Sequence, residues 1–335
     1  MNEVKKIMQQ AAALADDELI TQPLKQQGSW PECVHLLNKK SLLAIAAALG
    51  AQRPLLIRGE PGTGKSHLAR AAAALLERHF ISTVVQPYTE YQELLWTFDH
   101  TQRLADAQLM SLSGDAGKPV AQANKQKTPI AELLAPSRYT SPGPLWYAYD
   151  WIDASKQICK TAYQPEPTED NKAPDAQVLL IDEIDKADIS LSNGLLEVLG
   201  NRSFRVPHRA QAIGGGKQTT PLVILTSNSI RELPSALLRR CVLLDLSLPT
   251  GKELISYFVK VGRAHFPLMD DKVLTAAAEQ ICDDREQQAK HSLKTGQAEY
   301  VDLLRAVQNS GKTVRQQQDS IEHLANFFFK HQAND

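Results

Sequence analysis

The sequence predicts an α/β fold, with a parallel five-stranded sheet between two layers of helices and then a region made only of helices. Short runs that are apolar throughout alternate with helical stretches over most of the chain, and only helical periodicity remains after residue 249. Continuous apolar runs are typical of parallel strands that are covered on both faces. The alternation of strands and helices therefore predicts a doubly wound sheet with a helical appendage.

The predicted strands follow one another along the chain with helices between them. They cover residues 54–57, 81–85, 178–181, 222–225 and 242–246. A helix over 38–49, which we expect Gly50 to end, precedes the first strand, and a helix over 66–78 follows it. Residues 1–20 predict an amphipathic helix rather than a signal peptide, because no apolar stretch follows Lys5 and Lys6.

The connection between the second and third strands, about residues 88–177, is unusually long. Connections of this length inside a compact domain are usually functional. Helical periodicity predicts a helix over 91–109, the polar composition of 111–128 indicates a mobile loop, and the prolines of 164–176 indicate a surface linker.

The last part of the chain predicts helices only, which lie over 252–265, 271–284, 299–308 and 313–331. We therefore expect an organisation in three regions. These are an N-terminal helical extension (1–30), an α/β core that carries the long insertion (31–248) and a C-terminal helical lid domain (249–335).

Composition and charge indicate a globular protein. Of its 335 residues 43% are hydrophobic and 22% are charged, and the net charge of −1 gives no general basic field for nucleic acid or an anionic membrane. No stretch approaches the roughly 18 apolar residues that a membrane span needs. The four cysteines lie far apart and form no CxxC, which favours reduced thiols in a cytoplasmic protein over a disulfide or zinc framework.

The strongest chemical signal is a glycine-rich loop between the first predicted strand and the next helix. Residues 59–66 match G-x-x-x-x-G-K-[ST] at every fixed position. The glycines let successive backbone N–H groups face a phosphate, and the helix adds the positive end of its dipole. Lys65 is expected to reach the β- and γ-phosphates and Ser66 to bind Mg²⁺. The predicted ATP-binding residues are Gly59, Glu60, Pro61, Gly62, Thr63, Gly64, Lys65, Ser66 and His67.

Two acids follow the third predicted strand directly. The strand delivers Asp182 and Glu183 to its C-terminal edge, where parallel sheets bind their ligands. Asp182 suits a Mg²⁺ contact, so the predicted metal residues are Ser66 and Asp182. Glu183 is the natural general base, which polarises a water for in-line attack on the γ-phosphate.

Further polar residues follow the fourth predicted strand and precede the fifth. Asn228 is expected to hold the attacking water together with Glu183; the alternative is a loop or cap residue. Arg239 and Arg240 end a helix just before the fifth strand. They are expected either to cap the C-terminus of that helix or to reach the γ-phosphate of a neighbouring subunit as an arginine finger.

Together these motifs resemble those of AAA+ ATPases, and in detail those of the MoxR-related branch. The closer match lies in residues 179–188, 193–199 and 226–241, and the resemblance covers roughly residues 30–250 well and the C-terminal helices in outline. The resemblance implies a P-loop NTPase core, an αβα sandwich with a helical lid, often closed into a hexameric ring with ATP between subunits. Hydrolysis in such rings remodels or activates a partner protein, often one with a von Willebrand A domain.

The resemblance also implies a role for Arg240 and leaves one position open. By its place directly before the fifth strand, Arg240 matches the family's arginine finger more closely than Arg239. Many AAA+ proteins carry a sensor-2 arginine at the start of a lid helix, but residues 292–299 contain none. Lys294 is either a substitute or a solvated lysine, and Arg305 lies further along the next helix.

Three functions remain open from the sequence. The first is a ring-forming ATPase that remodels or activates a protein, the second is a nucleic-acid motor or loader on the same core, and the third is a nucleotide-dependent scaffold that does not hydrolyse ATP. The near-zero charge disfavours the second, although a basic pore in an assembled ring would revive it. Lys65, Asp182 and Glu183 are all present, which disfavours the third.

Overall fold

The computed structural model describes residues 2–16, 18–112, 120–121, 127–128, 130–161, 175–216, 220–228, 230–287, 294–311 and 313–328. In chain order, strands β1 to β13 are Leu19–Leu24, Cys33–Asn38, Leu55–Arg58, His79–Val84, Trp96–Phe98, Val120–Ala121, Lys127–Thr128, Thr140–Pro142, Gln177–Asp182, Ser203–Phe204, Ile213–Gly214, Leu222–Ser227 and Val242–Asp245. Helices α1 to α13 are Asn2–Ala13, Lys39–Ala51, Lys65–Leu75, His100–Leu112, Ile130–Leu133, Pro144–Tyr149, Trp151–Ile158, Ile189–Asn201, Ser235–Arg240, Lys252–His265, Asp271–Gln287, Gln297–Ser310 and Val314–Phe328. Among the described residues, no helix combines the length and apolarity that crossing a membrane requires.

The central sheet has five parallel strands in the order β13-β3-β12-β9-β4. These are the five strands that the apolar runs predict. Every residue of β9 and β12 is buried, because helices cover the sheet on both faces. Side chains alternate between the faces, so Leu55 and Ile57 join one hydrophobic cluster and Leu56 joins the other. The predicted αβα core is confirmed.

Helix α2 does not end at Gly50, as the sequence predicted, but at Ala51. The side chain of Asn38 caps its first turn by accepting a hydrogen bond from the Ser41 N–H at 2.8 Å. At the other end Gln52 adopts the left-handed conformation, with φ of 52°, and satisfies the last carbonyls. Gln52 thus has the left-handed conformation that ends the helix, and Gly50 lies inside the helix.

The first 38 residues form more than the single amphipathic helix expected over 1–20. Helix α1 ends at Ala13 and packs on α2 through Ile7 and Ala11, and the Arg78 guanidinium binds Glu3 at 2.7 Å. Strand β1 then pairs antiparallel with β2. This hairpin tolerates Pro23 because β1 has a partner on one side only.

The insertion differs from the single helix predicted over 91–109. A 3₁₀ turn (Tyr91–Leu94) leads into strand β5, and only then does helix α4 begin. Strand β5 pairs with β8, and Gly143 lies so close that a Cβ there would meet the Glu93 carbonyl at 2.5 Å. A long-range pairing therefore overrides the local helical periodicity. Most of the loop and linker expected over 111–128 and 164–176 lies outside the described residues.

Helices α10 to α13 share a third hydrophobic cluster, which contains the fully buried Phe258, Leu274 and Tyr300. Within it, a Cβ on Gly262 would lie 2.7 Å from the Tyr300 hydroxyl, so the helices approach each other closely at this glycine. Leu36 of β2 packs against the same cluster. The C-terminal region is helical, as predicted, and its packing on β2 brings it beside the glycine-rich loop.

Candidate functional site

The glycine-rich loop joins β3 to α3 and has the backbone that its sequence requires. Gly62 and Gly64 adopt φ of 76° and 85°, which favours glycine over residues with a side chain. At Gly59 a Cβ would lie 2.3 Å from the Leu246 carbonyl oxygen, so only glycine fits beside the end of β13. The Thr63 hydroxyl closes the turn by donating to the Glu60 carbonyl at 2.8 Å. The loop is thus a shaped cradle at the N-terminus of α3.

Lys65 lies within this cradle and is only 7% exposed. Its Nζ donates to the Gly59 carbonyl at 2.9 Å and to the Glu60 carbonyl at 2.8 Å. Burial lowers the pKa of Lys65, and the nearby Asp182 carboxylate is the largest influence in the opposite direction. A cation is thus held at the mouth of the loop by neutral carbonyl groups that a phosphate can replace.

Ser66 and Asp182 meet where the first turn of α3 faces the end of β9. The Ser66 hydroxyl donates to Asp182 Oδ2 at 2.8 Å. The other carboxylate oxygen of Asp182 accepts a short hydrogen bond from the Thr226 hydroxyl, which in turn accepts one from the Glu183 N–H at 2.9 Å. Thr226 is fully buried. Sequence reasoning gave Thr226 no role, although it is the first polar residue at the end of an apolar strand.

Glu183 has the left-handed conformation, with φ of 58°, which is uncommon for a residue with a side chain. Both of its carboxylate oxygens have partners. Asn228 Nδ2 donates to Oε1 at 3.2 Å, and Lys186 Nζ lies 2.5 Å from Oε2. This ion pair raises the pKa of Lys186. The sequence predicted that Asn228 and Glu183 hold a water between them, and the structure places the two side chains in direct contact. The contact with Lys186 was not predicted and comes from the tight turn after β9.

Asp185 holds the segment after β12 against the turn that carries Glu183. It is 2% exposed and accepts hydrogen bonds from the backbone N–H of Asn228 at 3.3 Å and of Ile230 at 3.0 Å. The position of Asn228 is therefore set by the buried carboxylate of Asp185, which lies in the turn that follows the neighbouring strand β9. Sequence reasoning did not find this role, since it depends on the register of β12 against β9.

These groups open onto a cavity of 440 Å³ between the α/β core and the C-terminal helices. The predicted site residues that line it are Pro61, Gly62, Gly64, Lys65, Ser66, His67, Asp182, Glu183 and Asn228. Gly59, Glu60 and Thr63 belong to the loop but do not line this cavity. The structure thus brings the loop, the two acids and the asparagine together at one edge of the sheet.

The rest of the cavity wall comes from the segment before β2 and from the helices α10 and α12. Trp30 lies beside His67, with ring centroids 6.1 Å apart, and burial lowers the pKa of His67. On the helical side His265 and Arg305 line the cavity, and burial lowers the pKa of His265 to about 4. Of the two candidate cations in the C-terminal region, Arg305 lines the pocket and Lys294 does not.

Arg239 and Arg240 lie outside this cavity. Arg240 Nη1 donates to the Leu196 carbonyl of α8 at 2.7 Å, and the Arg239 carbonyl accepts from Arg53 Nη1 at 3.4 Å. Both arginine side chains belong to exposed residues at the C-terminal end of α9. Arg240 thus contacts the neighbouring helix rather than a carbonyl of its own helix, and neither arginine reaches the pocket of its own chain.

Comparison with known proteins identifies the family. The family model for the AAA domain of the dynein-related subfamily matches residues 54–241. No curated protein sequence matches the chain significantly.

Among solved structures, the Thermotoga maritima RuvB Holliday junction branch migration motor is 18% identical, with a TM-score of 0.44, over 86% of this chain and 67% of that one. A proline-to-glycine mutant of RuvB from that organism is 17% identical, with a TM-score of 0.46, over 86% of this chain and 68% of that one. Similarities this distant say nothing about function. The matched family region runs from β3 to the residue after α9 and contains the loop, both acids and Asn228, so the chain belongs to the AAA domain family, dynein-related subfamily.

Proposed function

We propose that this chain binds ATP with Mg²⁺ in the cavity described above and hydrolyses it to ADP and phosphate. The observation that carries this proposal is the convergence of Ser66, Asp182 and Glu183, in which a hydroxyl and two carboxylates meet at the N-terminus of the helix that follows a glycine-rich loop. Loops of this shape bind phosphate through their backbone N–H groups and the helix dipole. Membership of the AAA family supports the same activity.

Each part of the phosphate site has a separate task. Residues 62–66, which follow Pro61, supply backbone N–H groups, and Lys65 exchanges its two carbonyl contacts for phosphate oxygens. Arg305 adds a second cation from the helical side of the pocket. The Ser66 hydroxyl and the Asp182 carboxylate fit Mg²⁺, which prefers oxygen ligands, and the ion neutralises phosphate charge when it is bound.

Glu183 is the proposed general base for hydrolysis. Its carboxylate lines the cavity and lies one residue beyond Asp182, so it can accept a proton from a water that attacks the γ-phosphate in line. Asn228, held to Glu183 Oε1 at 3.2 Å, orients that water together with the base. The Lys186 ammonium lies at the other carboxylate oxygen of Glu183.

Thr226 provides a test of how the two acids are positioned. Thr226→Val keeps the shape of the side chain but leaves the Glu183 N–H and one Asp182 oxygen without their hydroxyl partner. Unsatisfied buried groups cost about 1–3 kcal/mol, so we expect the free energy of unfolding to fall by that amount. Urea unfolding measures the loss, and ATP turnover should fall with it. Thr226→Ser, which keeps the hydroxyl, should keep the free energy of unfolding and ATP turnover near their wild-type values. Equal losses in Thr226→Ser and Thr226→Val would contradict the role of the hydroxyl.

Arg240 is the proposed arginine finger, which acts on the ATP of a neighbouring subunit. Support comes from its exposed position outside its own pocket and from the resemblance of 226–241 to the MoxR-related branch. This role requires a homo-oligomer, and we propose a ring, hexameric as the resemblance implies. In this proposal the partner copy completes the site, which fits the observation that neither Arg239 nor Arg240 lines the cavity of the same chain.

Arg240→Ala should leave ATP affinity unchanged and lower turnover of the assembled protein by about 10³-fold or more, since arginine fingers contribute about 10³–10⁵ to the rate. Equilibrium ATP binding and phosphate release measure the two quantities. Arg239→Ala is the matched neighbour and should have the smaller effect. Unfolding of the Arg240→Ala protein would instead assign Arg240 a structural role through its contact with the Leu196 carbonyl.

We propose that the chain is a MoxR-like AAA+ protein of the cytoplasm that remodels or activates a protein partner. The resemblance implies a von Willebrand A-domain protein as one such partner. In this proposal residues 1–30 are an extension, 31–248 the ATPase core and 249–335 the lid. The free thiols of the four cysteines fit a reducing compartment. ATP turnover that is stimulated by DNA and not by protein would favour the nucleic-acid motor, and ATP binding without turnover would favour the scaffold.

A further inference from the structure

An ion pair and a backbone hydrogen bond join the C-terminal helices to the glycine-rich loop. The first is an ion pair between Arg285, near the end of α11, and Glu60, the second residue of the loop. Arg285 Nη2 lies 2.9 Å from Glu60 Oε2, and the side chains are 11% and 49% exposed, respectively. The two residues are 225 positions apart in the chain. This contact therefore joins two regions that the sequence alone does not connect.

On the helical side Arg285 is firmly anchored. A second nitrogen of its guanidinium, Nη1, makes a short hydrogen bond to the Thr295 carbonyl. Thr295 is fully buried, and its hydroxyl makes a short hydrogen bond to Asp284, the neighbour of Arg285 on α11. The planar guanidinium thus bridges the end of α11 and the segment before α12, and its Nη2 group contacts Glu60.

The second contact lies two residues further along the loop. The Gln297 N–H, at the start of α12, donates to the Gly62 carbonyl at 2.9 Å. The backbones approach so closely that a Cβ on Gly296 would lie 3.0 Å from the Gly62 oxygen. The Glu299 carboxylate closes this corner by accepting from the Gly296 N–H at 2.9 Å. The first turn of α12 is therefore packed on the part of the loop that faces the cavity.

We propose that Arg285 is a positioning residue for the nucleotide site, and that its ion pair with Glu60 couples the helical region to the conformation of the phosphate-binding loop. This inference rests on the proposed function. Arg285 does not line the cavity, so it acts through Glu60 rather than on the nucleotide. The Arg285–Glu60 pair and the Gln297–Gly62 hydrogen bond enclose the loop segment 60–62.

In this proposal ATP binding and the Arg285–Glu60 ion pair are thermodynamically linked. A nucleotide that fixes the loop also fixes the position of Glu60 and so strengthens the ion pair. Coupling free energies are reciprocal, so the ion pair must strengthen nucleotide binding by the same factor. The chain has no arginine in residues 292–299, where a sensor-2 arginine is expected. The contact with Glu60 supplies a route by which the helices respond to nucleotide in addition to Arg305, which lines the cavity.

A double-mutant cycle on ATP affinity tests the coupling. Arg285→Gln and Glu60→Gln should each weaken ATP binding about tenfold, or about 1.4 kcal/mol. The double variant should bind no more weakly than Arg285→Gln alone, because both substitutions remove the same interaction. Arg263→Gln is the matched control. It also breaks an arginine–carboxylate pair of the C-terminal helices, the one with Asp271, and neither residue of that pair lines the cavity. Additive losses, or an equal loss in the control, would overturn the proposal.

Hydrogen exchange over residues 281–287, the end of α11, supplies an independent readout, because none of these residues lines the cavity. ATP should slow exchange there in the wild type and in Arg263→Gln, and should not slow it in Arg285→Gln. If wild-type protein fails to bind ATP, the proposed function fails; if it binds and the cycle is additive, only the coupling fails. Thermal unfolding without nucleotide reports whether each variant is folded. If Arg285→Gln does not fold, Glu60→Gln decides, since normal ATP-dependent protection in it would overturn the coupling.

Discussion

Lys65→Ala is expected to weaken ATP binding at least about 100-fold, which corresponds to about 2.8 kcal/mol. The structure places the Lys65 ammonium inside the loop, where it contacts only the carbonyl oxygens of Gly59 and Glu60 among the hydrogen bonds described. A phosphate group offers this cation a charged partner, and charge-assisted hydrogen bonds are roughly twice as strong as neutral ones. Alanine leaves the phosphate charge at the loop without that partner.

Isothermal titration with ATP and Mg²⁺ measures the loss. Lys39→Ala is the matched control, because Lys39 forms an ion pair with Asp16 and does not line the cavity. The control should bind ATP as the wild type does. Retained ATP affinity in Lys65→Ala, in a protein whose unfolding temperature is unchanged, would show that the nucleotide binds elsewhere.

Glu183→Gln is expected to bind ATP normally and to lose turnover by about 10²–10⁴-fold, the usual contribution of a general base. Glutamine keeps the size of the side chain and can still contact Asn228, but it cannot take a proton from the attacking water. Ser66 and Asp182, which are the proposed Mg²⁺ ligands, are unchanged, so binding should persist. The substitution therefore separates binding from chemistry.

Single-turnover phosphate release at saturating ATP tests this separation. Glu322→Gln, at an exposed position on α13, is the matched control and should hydrolyse ATP at the wild-type rate. Turnover in Glu183→Gln within a few-fold of the wild type would remove Glu183 from the role of base. Loss of ATP binding in that variant would instead assign the side chain to the binding site.

The sequence predicted those features that depend on neighbouring residues. The glycine-rich loop and the acids Asp182 and Glu183 stand in contiguous motifs, and the central strands appear as apolar runs because both of their faces are buried. That Glu183 and Asn228 lie near each other followed from their places at the ends of two predicted strands, although their direct hydrogen bond did not. Fold class and the centre of the site were therefore predictable without coordinates.

Features that depend on distant parts of the chain were not predictable. The roles of Thr226 and Asp185 follow from the register of β12 against β9, which the apolar runs do not specify. The hairpin of β1 and β2 and the strand β5 exist because of their pairing partners, and β5 lies where local periodicity indicated a helix. Likewise, nothing in the sequence around Arg285 indicates that its guanidinium binds Glu60 across the fold.

We propose that this pocket hydrolyses ATP in an assembled protein. The most direct test is phosphate release from ATP by the purified wild-type chain at increasing protein concentration, with light scattering to report mass. We predict Mg²⁺-dependent release whose rate per subunit rises as the assembly forms. Saturable ATP binding with no phosphate release at any concentration, in the monomer or the assembly, would contradict the account.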